Sequence, residues 1–155
     1  MQLIDRVNAF VKLGEKLNQL QPDMIASLGA SAQQQNGWFT PHHVAKAIEG
    51  IAFMLQREKL EKWLDSYDLK EPTPKVVGIV MAGNIPLVGF HDLLTVLISG
   101  HFAAIKPSKD DAFLTRTMVE WITEIEPRFK KNIELRDKLN NTDAVIATGS
   151  DNTAR

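Results

Sequence analysis

No cysteine occurs in the 155 residues. That absence excludes disulfides, thiolate metal sites and a cysteine nucleophile supplied by this chain, and it weakly favours a reducing compartment. Cytoplasm is the expected location. An excess of charge is also missing, since 18 basic side chains stand against 19 acidic ones for a formal net charge of −1. Without a basic block, neither nucleic acid nor an anionic membrane surface is an expected partner, and any anion site must be local. Lys130-Lys131 beside Arg128 is too short a run to change this. The longest apolar run, around Leu87 to Ile98, is broken by His91 and Asp92 and is too short to span a bilayer. The amphipathic N-terminus carries acidic residues and lacks the continuous apolar core of a signal peptide. Internal repeats and low-complexity segments are absent. There is no G-x-G-x-x-G.

What is present suits one domain, or a piece of a larger one, with 44% apolar residues to build a core. Leu3, Val7, Phe10, Val11, Leu13 and Leu17 recur at helical spacing, which predicts an amphipathic helix over the first twenty residues. A polar loop at "QQQNG" precedes Thr40 as N-cap and Pro41 at the first helical position, followed by Val44, Ile48, Ile51 and Leu55 on one stripe. Residues 57–68 predict another short helix, with Leu60, Trp63 and Leu64 inward. "KEPTPK" ends it, because two closely spaced prolines cannot continue a helix. This is the expected boundary between a helical segment, 1–70, and a second part, 71–155.

Beyond it strand and helix alternate. Val76–Met81 predicts a buried strand, Pro86–Ser99 an apolar helix ending at Gly100, and Phe102–Ile105 a second strand. Asp110–Ile125 predicts a helix stopped before Pro127, the charged residues up to Asn141 a frayed helix or loop, and Asp143–Ala147 a third strand. The order β-α-β-α-β implies an α/β fold, with N-terminal helices followed by half of a Rossmann-like parallel sheet.

Ligands of open parallel sheets gather beyond the C-terminal strand ends, and three motifs fall there: "GNIP", "KPSK" and "TGSDNTAR". Asn84 reads either as a helix cap or as a side-chain N–H donor to a developing oxyanion. Lys106, held by Pro107, reads as a solvated lysine or as a ligand of ribose hydroxyls or phosphate. Gly149-Ser150 is either a plain turn or a backbone cradle for pyrophosphate. His42 and His43 are neighbours on a helix, pointing about 100° apart, and make no chelating pair. His91 and His101 have no acidic or thiolate cluster at metal-ligand spacing, so no metal is expected. Trp38, Trp63 and Trp121 read as core or interface anchors.

"VVGIVMAGNIPLVGFHDLLTVLISGHFAAIKPSKD" and "ATGSDNTAR" resemble the aldehyde dehydrogenase superfamily, and with "NGWFTPHHV" they look most like the LuxC-type acyl-CoA reductases that supply fatty aldehydes. The resemblance implies Asn84 as oxyanion donor, Lys106, Pro107, Ser108 and Lys109 at the cofactor ribose, and Gly149 and Ser150 as a phosphate turn. Where NAD-using relatives carry Glu after Lys-Pro-Ser, this chain has Lys109, so NADPH is the expected cofactor and NADH the alternative. Asp151 is an awkward anion beside the supposed phosphate turn. The superfamily's nucleophile is a Cys thiolate, which this chain lacks. The resemblance therefore implies an N-terminal, C-terminally truncated part of an oxidoreductase, inactive alone, with the Cys and the general-base Glu downstream of Arg155. Acyl-CoA is the implied substrate, and a homo-oligomer is compatible with the family. The competing reading is a non-catalytic α/β binding or protein-interaction domain, in which Asn84 is only a cap.

Overall fold

The alternation of strand and helix builds a four-stranded, all-parallel sheet in the order β3-β2-β1-β4, in a computed structural model that describes residues 1–69 and 73–148. Strand β1 (Val76–Val80) is central, with β2 (Phe102–Lys106) and then β3 (Ile133–Leu135) on one side and β4 (Ala144–Ala147) on the other. The chain moves outward from β1 through β2 to β3, then crosses back. That reversal makes the β1/β4 seam the switch point of a Rossmann-like half. Register fixes which residues share the C-terminal edge: Val80 lies level with Lys106 on one side and Ala147 on the other.

Helices cover the sheet where the apolar stripes predict them. α1 (Leu3–Asn18) buries Phe10, Leu13 and Leu17 and packs on α3 (Pro41–Met54), α5 (Phe90–Ile98) and α6 (Ala112–Ile125). One apolar cluster runs from α1 through the strands to α6. Thr40 caps α3 as expected, its Oγ1 accepting from the His43 amide at 3.3 Å with Pro41 next in line. α4 (Arg57–Leu64) follows directly and buries Leu60. Gly100, at φ 91, ends α5: its amide donates to Leu97 and the following His101 amide to Val96, the paired bonds of a left-handed C-terminal cap. Buried Arg6 on α1 adds a third donor there, its Nε 2.8 Å from the Ile98 carbonyl. A cation at a helix C-terminus is doubly favoured, by the bond and by the helix dipole.

Three details depart from the sequence reading. The expected loop at "QQQNG" begins later, because helix α2 (Pro22–Gln35) runs through all three glutamines. Its apolar stripe is thin, and the surface it buries lies against α3, a tertiary contact that periodicity does not register. The expected frayed helix or loop before Asn141 contains strand β3, whose three residues are too few to show alternation. Its pairing is bracketed by the Ala103 amide donating to Asn132 and the Arg136 amide to Ile105, each at 2.7 Å. Finally, α5 starts at Phe90 instead of Pro86, after a turn in which Leu87 takes φ 59.

The α2–α3 crossing offers a test of this packing. A Cβ at Gly29 would lie 2.5 Å from the Pro41 Cα, whereas one at Gly50, on the outer side of α3, meets nothing. Gly29→Ala should therefore lower the unfolding free energy by about 1–3 kcal/mol through overpacking. Gly50→Ala should raise it by roughly 0.5–1 kcal/mol through helix propensity. Urea unfolding of both variants beside the parent measures this, and equal effects would contradict the crossing geometry.

Candidate active site

The polypeptide leaves β1 at Val80, and the Met81 amide extends the ladder by donating to the Lys106 carbonyl at 3.1 Å. Gly83 then passes close to the loop after β2. A Cβ there would fall 2.6 Å from the Ser108 Cβ, an atom that moves only with its backbone, so the two loops touch because residue 83 is glycine. Asn36, at the end of α2, sets its Nδ2 3.5 Å from the Gly83 carbonyl. Asn84 follows at an exposed position. No bond from its side chain to the α5 N-terminus forms: Gly89, not Asn84, is the cap residue of that helix, and it has no side chain to cap with. The capping role open to Asn84 on sequence grounds is thus not the one it has.

Asn84 stands between two hollows. On one side is a cleft of about 1020 Å³ across the C-terminal strand ends, lined by Gly83, Asn84, Ser108, Asp110 and Thr148 together with Asn36 and Trp38. On the other is an apolar groove of about 520 Å³, walled by Trp38, Phe39, Ala47, Ile85 and Pro86. Trp38, read from sequence as a core or interface anchor, is 82% exposed, so it is not a core residue, and it forms a wall of both. The cleft is large enough for a dinucleotide, and close backbone approach at Gly83 is the kind of feature such a ligand uses.

The other sequence-predicted residues take distinct places. Ser108 lines the cleft and accepts the Asp110 amide at 3.3 Å, opening a short 3-10 turn over Lys109–Asp111. Lys106 and Lys109 are exposed beside the cleft but outside its lining, as is half-buried Pro107. Gly149 and Ser150 lie outside the described residues, and Thr148 is the last position of that motif described. Thr148 is tied to α5, its hydroxyl donating to Asp92 at 2.7 Å across the β1/β4 seam. Among the described residues no group of three His, Asp or Glu side chains could hold a metal.

Sequence reasoning missed Asp111. It is 3% exposed, it accepts the Leu87 amide at 2.8 Å through Oδ2, and its Oδ1 is buried without a partner. Burial pushes this carboxyl up from 3.8 to about 7, while the Leu87 hydrogen bond pulls in the opposite direction. The native state holds the proton more tightly than the unfolded chain, so the contribution is full below about pH 4 and is lost as pH rises through about 7. On the order of 2–4 kcal/mol is at stake. Asp111→Asn should remove this increment and flatten stability between pH 4 and 8, as urea unfolding at several pH values would show. An unchanged slope would assign the pH dependence to other groups.

No curated protein sequence matches the chain. The family model for acyl-CoA reductase (LuxC), however, matches residues 5–155, a span that includes every strand, the Asn84 turn and the Ser108 loop. Reductases of this kind generally depend on a pyridine nucleotide. With its sheet order, its strand-end motifs and this match in agreement, the chain belongs to the LuxC family of acyl-CoA reductases.

Proposed function

We propose that this chain provides the nucleotide-binding edge and the oxyanion donor of an enzyme that converts acyl-CoA and NADPH, with a proton, to aldehyde, CoA and NADP. The observation that carries the reading is the position of Asn84, an exposed amide where a polar cleft at the strand ends meets an apolar groove. A thioester carbonyl lying at that junction would have nucleotide on one side and its acyl chain on the other. The Asn84 Nδ2–H donates to the carbonyl oxygen as negative charge develops there, and a donor already in place needs no reorganisation in the transition state. The thiolate that attacks the carbonyl and expels CoA comes from outside these residues, because the chain has no Cys. The chain alone is accordingly inactive. A bound pyridine nucleotide supplies the hydride.

Lys106 serves the ribose hydroxyls in this reading, Pro107 and Ser108 shape the loop, and Gly149 and Ser150 form the phosphate turn. Lys109 favours a 2'-phosphate by charge, next to Ser108 on the cleft wall. Asp110, which itself lines the cleft, offers a ribose hydroxyl an acceptor and keeps NADH as the alternative.

Two measurements on the reductase that contains this chain test the proposal. Asn84→Ala should lower kcat by about 10²-fold or more with nucleotide affinity nearly intact. Unchanged turnover would remove the oxyanion role. Lys109→Glu should shift the NADPH-to-NADH ratio of kcat/KM toward NADH by about 1–3 kcal/mol, and rising salt should weaken NADPH more than NADH. A constant ratio would show that Lys109 does not read the 2'-position. If NADPH and NADH both fail to bind, the interaction-domain reading takes over.

A further inference from the structure

Asp111 stands immediately before α6, at the N-cap position, where an aspartate ordinarily accepts an amide from the first turn of its own helix. It makes no such bond. The Phe113 amide, a natural partner for that cap, is taken at 3.2 Å by Gln35 Oε1 from the end of α2. The carboxyl is turned instead to the Leu87 amide, 24 residues earlier in the chain. Leu87 is at φ 59, a left-handed conformation that is unfavourable for a branched, non-glycine residue and persists only where something holds it.

From this diversion we infer that Asp111 is the positioning residue of the Asn84 turn. The turn is fixed at two points. Upstream, Gly83 is wedged against Ser108. Downstream, Leu87 is fastened to Asp111, and its own carbonyl receives the Phe90 amide at 3.0 Å, which passes the constraint to the first residue of α5. Asn84 lies between the two points with its side chain exposed, so its backbone is held while its amide is left to the ligand. Asp111 itself does not line the cleft, and its effect on chemistry runs only through this turn.

The test compares Asp111→Asn, which retains an acceptor for Leu87, with Asp111→Leu, which fills similar space without one. It has two readouts. In this chain, Leu87 amide hydrogen exchange should accelerate by at least tenfold in D111L and the Asn84 side-chain amide resonances should shift. Exchange at Leu94 and Ile105 in the core reports any change in global stability, and relative to those amides Leu87 should keep its parent ratio in D111N and exceed it in D111L. In the reductase, D111L should lower kcat by about tenfold or more with little change in nucleotide KM, and D111N should restore most of it. The kinetic arm rests on the oxyanion reading of Asn84, whereas the exchange arm does not. If Asn84→Ala leaves turnover intact but D111L still releases Leu87, the oxyanion role falls and the positioning role stands. Parent-like Leu87 exchange in D111L would overturn the inference. So would equal losses in both variants, including equal unfolding, because Asn keeps the acceptor.

Discussion

The hydrogen bond from the Leu87 amide to the buried Asp111 carboxyl joins the segment leaving β1 to the segment leaving β2. Strand pairing aligns the two strands only as far as Val80 and Lys106. Beyond the ladder each loop is free to go its own way, and what brings them together is this bond and the Gly83–Ser108 contact. The cost is visible in the same place, as a carboxylate oxygen without a partner and a leucine in the left-handed region. Strain and unsatisfied polarity of this kind collect where function constrains the backbone.

The architecture was legible because it rests on burial. Val76–Val80 and Phe102–Lys106 are short, apolar and bounded by turn residues, and α1, α3 and α6 carry wide apolar stripes. What stayed hidden rests on contacts distant in sequence. The surface of α2 makes sense only against α3, where Gly29 meets Pro41, and β3 is defined by β2 alone. Neither partner can be seen within a local window.

The placement of the candidate site was legible in part, for a similar reason. Asn84 and Ser108 follow strands directly, so topology alone brings them to one edge. The sequence equally suggested that Asn84 capped the next helix, an ambiguity decided by the late start of α5 at Phe90. Asp111 offered no signal beyond its resemblance to an ordinary cap. The signal that existed was indirect: Gln35 is a second candidate acceptor for the same helix, and only in three dimensions does it relieve Asp111 of that duty. Trp38 was open between core and interface on sequence grounds, since an indole serves in either, and its exposure removes only the core alternative.

The position of β4 bears on how the molecule assembles. β1 and β2 lie close in sequence and can pair early, but β4 must return across a span of more than sixty residues to meet β1, with the Val76 amide bonded to Asp143 at 2.7 Å where the two strands begin. Closing so long a loop carries a larger entropic cost, and such pairings form late. The half-sheet β3-β2-β1 can therefore exist before the switch-point seam does, leaving one edge of β1 unsatisfied in the meantime. An unpaired central strand is a template for any other extended chain, so the interval before β4 docks is the period of greatest exposure to intermolecular pairing.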